Sequence, residues 1–284
     1  MSHFTCLIIT KDQQDPEELL TPFDENTRVD EYEEDCYCAR HELNMKVRET
    51  LEKEFGGTFD EVLRQKYHAI TPELRIAWKD FIAPWQKRET ELEAELKPTI
   101  KPKESCEDCH GTGKSKTTYN PQSKWDWYEL GGRWLGNFML KKGKKGALGR
   151  AGVGDNKPDK GYTADQAKFG DIDWEAMKAE KIAKRTKLWD EAHAKLKKGE
   201  IKHDDLDWKY GIESGQTKEQ YVGTGEFTPF SIITSDGVWH EKGDMGWWGM
   251  VSDEKKPEDW EAMCRAILEK CEPTDTLSVY DLHI

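Results

Sequence analysis

The chain contains no apolar run approaching the roughly 20 residues that a membrane-crossing helix needs. Its apolar start, Phe4 to Ile9, is too short for a secretory signal and has neither a basic leader nor a small-residue cleavage site. These absences predict a protein of the cytoplasm. Positive charge is also in deficit. Lys and Arg number 43 against 56 Asp and Glu, a formal net charge of -13, which repels duplex nucleic-acid phosphate and favours basic partners. There is no internal repeat. Gly113-Lys114-Ser115 has the ending of a phosphate-binding loop, but Asp108 stands where GxxxxGK[ST] requires glycine and no apolar strand leads into it, so nucleotide binding there is not expected.

What the chain does have is length for a core, 284 residues, and many large aromatics, including 12 Trp. Both ends read as strands. Phe4-Thr5-Cys6-Leu7-Ile8-Ile9 and Leu277 to Ile284 are rich in strand formers. Pro229 to Ile233 and Val238 to Glu241 flank the turn Ser235-Asp236-Gly237 as a hairpin. Pro257 opens a helix with Trp260, Met263, Ile267 and Cys271 on one face. The order strand, long excursion, hairpin, helix, strand predicts an α+β fold: a ferredoxin-like split βαβ antiparallel sheet formed by both termini, with a large, mostly helical insertion.

Within the excursion, Lys11 to Tyr37 reads as an acidic surface loop. Leu43, Val47, Leu51 and Phe55 form one helical stripe ending at Gly56-Gly57, and Thr71-Pro72 starts another that carries Leu74, Trp78, Phe81 and Trp85. Glu89 to Lys97 extends it as a solvated segment. Lys124 to Phe138 reads as a hairpin turning at Gly131-Gly132, and Lys141 to Lys160 as a mobile Gly/Lys loop. From Asp173, an N-cap, a helix runs towards Gly199 with Ile182, Trp189 and Leu196 seven apart. That spacing predicts a partner helix and self-association. Asp165 and Asp171 read as turn residues. The expected domains are 1–10 with 226–284 as the α+β core, 11–116 as a helical segment with a zinc knuckle, and 117–225 as the aromatic hairpin, Gly/Lys loop and long helix.

Closure of the sheet by its two ends would gather His3, His283 and Asp281, with His240 near both. Three imidazoles and a carboxylate suit a catalytic Zn²⁺ or Mn²⁺, or acid–base work on a phosphodiester or nucleotide. The His3-Phe4-Thr5 triplet has no second HxT, so the paired signature of 2H phosphoesterases is missing. The competing reading is that these are solvated strand ends.

Cys106-Glu107-Asp108-Cys109-His110-Gly111-Thr112-Gly113 places two thiols three apart on a glycine turn whose N–H groups can face sulfur. This octet is similar to the CxxCxGxG repeat of the zinc-binding domain of DnaJ-type chaperones, which implies zinc. It occurs once here, so a second pair must complete the site. Cys36 and Cys38, with His41 nearby, are the clustered candidates. Reduced thiols are the alternative. Cys6, Cys264 and Cys271 sit on apolar faces as core residues. Trp125, Trp127, Arg133 and Trp134 could hold a nucleotide by stacking and charge, form a protein interface, or simply pack.

The opening Met1-Ser2-His3-Phe4-Thr5, the block Asn120 to Tyr128 with Gly131-Gly132-Arg133-Trp134, the stretch Ala164-Asp165-Gln166-Ala167, the Gly246-Trp247-Trp248-Gly249 loop and the ending Asp281-Leu282-His283-Ile284 together resemble a family of proteins encoded by tailed bacteriophages and prophages. The resemblance implies a viral gene acting in the cytoplasm of an infected bacterium, and no particular chemistry. The leading expectation is an accessory, anti-defence protein that binds and inhibits a host immune complex or sequesters its nucleotide signal. The alternatives are a metal-dependent phosphodiester or nucleotide hydrolase and a zinc-stabilised structural protein.

Overall fold

The computed structural model describes residues 2–67, 69, 78–151, 163–246 and 249–284, with the backbone alone for 78 and 79. The expected helix start at Thr71-Pro72, the side chains of Leu74 and Trp78, residues 152–160 of the Gly/Lys loop, and Trp247 and Trp248 lie outside the described residues.

In chain order the strands are β1 His3–Thr10, β2 Tyr32–Asp35, β3 Lys114–Thr117, β4 Trp127–Gly132, β5 Phe138–Met139, β6 Arg150–Ala151, β7 Thr163–Ala164, β8 Gln166–Lys168, β9 Ser231–Ile233, β10 Trp239–Glu241, β11 Asp244–Met245, β12 Val251–Ser252 and β13 Thr276–His283. The helices are α1 Pro16–Leu20, α2 Tyr37–Phe55, α3 Phe59–Lys66, α4 Trp78–Leu96, α5 Trp174–Lys197, α6 Asp204–Tyr210, α7 Lys218–Val222 and α8 Pro257–Leu268. The chain divides into two compact units: Met1–Val29 with Tyr119–Ala183 and Thr224–Ile284, and Asp30–Thr118 with Lys184–Gly223.

The first unit holds the main sheet, ordered β10-β9-β1-β13-β4-β6, with β8 also paired to β13. β1 and β13 are antiparallel along their whole length, from His3 opposite His283 to Thr10 opposite Thr276. β9 is parallel to β1 and antiparallel to β10. Both termini thus form one sheet with a large helical insertion between them, but the sheet is mixed and not the antiparallel one expected. A split βαβ order would put β10 between β1 and β9, whereas β9 lies directly beside β1 and parallel to it, and strands from the excursion extend the sheet beyond β13. β1 and β13 are covered on both faces, which is why they read as near-continuous apolar runs. On one face Leu7, Ile9, Ile232, Leu277 and Val279 pack under Trp260 and Cys264 of α8, with Trp174 and Met177 of α5 against the same cluster. The start of α5 thus does the work of the missing crossover helix. On the other face Phe4, Cys6, Ile8, Ile233 and Leu282 are covered by Leu20, Phe23 and Trp125. Lys11 to Tyr37 is therefore more than a surface loop, since α1 and the turn after it supply two core side chains. Burial pushes the Cys6 and Cys264 thiols up to about 12 and that of Cys271 to about 11, in line with core roles.

In the second unit Val47 and Leu51 of α2 meet Leu92 of α4, with Leu43, Phe55 and Trp85 alongside. Gly56, at φ 83, ends α2 as expected. The burial of Leu92 corrects the fully solvated reading of Glu89 to Lys97. The Asp173 carboxylate accepts from the Ala176 N–H and starts α5. Trp189 on that helix is spent within the chain, packing with Ala192 against Ile212 and Tyr221.

Candidate metal centre and paired histidines

β2 and β3 form an antiparallel ladder from Tyr32 opposite Thr117 to Asp35 opposite Lys114. The ladder ends where Cys36 donates its N–H to the Gly113 carbonyl at 2.9 Å. Cys36 therefore sits across from the glycine turn that carries Cys106 and Cys109. Cys36 caps α2 and Cys38 lies in its first turn, the positive end of the helix. On the other side, N–H groups of His110 and Thr112 close onto the carbonyls of Cys106 and Cys109, with His110 at φ 47 and Gly111 at φ 83.

The four sulfurs of Cys36, Cys38, Cys106 and Cys109 all lie within 4.8 Å of one another. Cys36 and Cys106 are 3.7 Å apart and Cys38 and Cys109 3.5 Å apart. These separations are far longer than a disulfide bond. They match the edge of about 3.8 Å expected for a tetrahedron with metal–sulfur bonds of about 2.3 Å. His41 is not part of the group; its ring stacks on Tyr37. Burial raises the Cys109 thiol, but the N–H groups of Gly113 and Gly111 and the neighbouring thiols outweigh it and bring it down to about 7. Cys38 goes the other way, to about 12, through burial and then Cys109. One sulfur thus ionises readily and suppresses its neighbours. A cation replacing the shared protons would remove that conflict.

The first unit brings together two of the three expected histidines and the carboxylate. The rings of His3 and His283 meet edge to face, centroids 4.9 Å apart. His3 Nδ1 is 2.8 Å from Asp281 Oδ1, and His283 Nδ1 is 2.5 Å from Asp126 Oδ1. Asp126 did not stand out in the sequence. Its only local signal is its place in the Trp125-Asp126-Trp127 alternation. His240 does not join the pair. It is opposite Ile232, which is opposite Leu7, so it lies two strands over and four residues along from His3, roughly 16 Å away.

Gly131-Gly132 is not the hairpin turn expected. β4 runs instead antiparallel to β13, with Trp127 opposite His283, while Phe138 pairs with Ala164 in β7. The glycines make room for two buried carboxylates. A Cβ on Gly131 would lie 2.5 Å from Asp165 Oδ2, and one on Gly132 would lie 2.5 Å from Asp281 Oδ2. Asp281 Oδ2 accepts from the Arg133 N–H at 2.9 Å. Asp165 is no turn residue. It is fully buried and accepts from the N–H groups of Gly136, Asn137 and Gly149 and from the Asn137 amide. Gly149 touches the Leu130 carbonyl so closely that no side chain fits, so this part of the Gly/Lys loop is packed.

The four expected ligand-binding residues separate. Trp125 is 5% exposed and donates its Nε1–H to the Leu20 carbonyl, so it is core. Trp127 is 44% exposed, with its ring 6.0 Å from that of His3. Arg133 is exposed and Trp134 half-buried. No helix among the described residues is long and apolar enough to cross a membrane. Comparison with protein-family models, with curated proteins and with solved structures finds no match to this chain.

Proposed function

We propose that Cys36, Cys38, Cys106 and Cys109 hold one Zn²⁺ that stabilises the Asp30–Thr118 part of the chain. The observation that carries this reading is the gathering of the four sulfurs within 4.8 Å of one another, with separations of 3.7 and 3.5 Å across the two pairs. All four positions are taken by protein, the pattern of a structural site and not of a catalytic one, which keeps a position open. The need for such a centre follows from size. The β2–β3 ladder is four residues long on each strand, and the neighbouring apolar cluster has, among the described residues, three buried side chains, a small core of the kind that a metal staple supports. Metal analysis of the purified protein should find one zinc per chain that Cys106→Ser and Cys109→Ser remove, with a lower melting temperature. A zinc-free protein whose melting is unchanged by these substitutions refutes the reading.

A second reading concerns what the whole protein does. The acidic balance and the sequence resemblance support a phage accessory protein acting on a bacterial partner. One structural observation favours it: Trp208, on α6 among Asp204, Asp205 and Asp207, is 88% exposed, an aromatic anchor in an acidic surround of the kind that basic partners bury. Expressed in a bacterium carrying anti-phage defence, the wild-type chain should restore phage plating and Trp208→Ala should not. No restoration by the wild type sinks this reading and leaves the zinc centre untouched.

A further inference from the structure

His3 and His283 occupy a special place on the β1–β13 pair. Ser2 and Ile284 exchange two backbone hydrogen bonds, each 3.1 Å. The next pair inward is therefore a non-hydrogen-bonded one, where facing side chains come closest. Each ring is held from behind by a carboxylate on Nδ1, Asp281 for His3 and Asp126 for His283. A carboxylate accepts, so in the neutral ring each Nδ1 carries the proton and each Nε2 presents a lone pair. On His283 that Nε2 is buried and has no hydrogen-bond partner among the described residues. A buried acceptor left empty is costly, on the order of 1–3 kcal/mol, and in a folded chain calls for a ligand or an ordered water.

A ring that gives its Nδ1–H to a carboxylate and offers Nε2 is the arrangement that metal-bound histidine adopts. The carboxylate fixes the tautomer and makes the imidazole more basic. Two such rings in contact, with two carboxylates behind them and no cationic side chain among the described residues hydrogen-bonded to either carboxylate, make a site selective for a cation. Imidazole nitrogens favour Zn²⁺, Co²⁺ or Ni²⁺ over Mg²⁺ or Ca²⁺. We propose that His3 and His283 bind one such divalent ion through their Nε2 atoms, distinct from the four-cysteine centre, with water in the remaining positions. Asp126 and Asp281 act as positioning residues. Gly132 leaves the space that Asp281 occupies, so Gly132, the Asp281 carboxylate and the His3 ring form one supporting chain.

Zn²⁺ titration of chelator-stripped protein, followed by calorimetry, tests this. The wild type should take up two equivalents. His3→Ala and His283→Ala should lose one and keep the cysteine-bound one, while Cys109→Ser should retain the histidine-bound one. Asp126→Asn, at a partly exposed carboxylate, should weaken the second equivalent by about 10–100-fold. Saturation of the folded wild type at the cysteine equivalent alone overturns the proposal without recourse to any variant, as does a second equivalent that survives His283→Ala. Cleavage of bis(p-nitrophenyl) phosphate that needs His283 and persists in excess chelator would also overturn it, in favour of two imidazoles acting as acid and base.

Discussion

Replacing Gly132 with alanine would put a methyl carbon 2.3 Å from the Asp281 Cβ and 2.5 Å from its Oδ2, at a backbone φ of +52. Two costs follow. An L-residue in the left-handed region loses about 1–2 kcal/mol. Forcing a methyl group into filled space costs about 1–3 kcal/mol more, because Asp281 is fully buried and tied to His3 and the Arg133 N–H. The sum is about 3 kcal/mol, roughly a hundredfold in the opening equilibrium. Gly143 provides the control: it has a φ of +82 and nothing within 4 Å of a built Cβ, so Gly143→Ala incurs the backbone cost alone. Amide hydrogen exchange along β13 reads the first unit directly and is not obscured by unfolding of the second. Gly132→Ala should accelerate exchange at Val279 to Leu282 by about two orders of magnitude, and Gly143→Ala by about one or less. Equal effects from the two substitutions would refute the claim that Gly132 is there to seat a carboxylate.

Asp165→Asn should destabilise the first unit by about 2–4 kcal/mol, because an amide NH₂ would face N–H donors that now converge on a buried carboxylate; a urea midpoint within error of wild type would contradict this. Burial, and then the Glu17 carboxylate 2.8 Å from its hydroxyl, push Tyr128 from 10.0 up to about 12. The fold favours the neutral phenol, so this contribution is present in full below pH 10 and is lost as pH rises towards about 12. Tyr128→Phe should therefore flatten the decline of stability over that interval, and an unchanged slope would count against the assignment.

Much of the fold was legible because its signals are local. A run of apolar strand formers, a Ser-Asp-Gly turn, a proline opening a helix and a glycine closing one each act over a few residues. Their order was enough to set β13 beside β1 in one sheet and to gather β9, β10 and α8 with them, but not to say that β9 and not β10 lies against β1. The four cysteines were legible for a similar reason: two close pairs, neither sufficient alone, imply each other. The roles that only tertiary structure decided depend on contacts between residues far apart in the chain. Asp126 meets His283 across 157 residues, and the Arg133 N–H meets Asp281 across 148. No periodicity or spacing encodes such a meeting. Read locally, Gly131-Gly132 is a turn, because the carboxylates that require the missing side chains arrive from elsewhere. Trp125 and Trp127 are two residues apart in an alternating segment, yet one is sealed in the core and the other stands beside His3. His240 shares a sheet face with His3, but strand register sets it too far away to join it. Local chemistry fixed which elements form, and long-range packing fixed which side chains come to share a site.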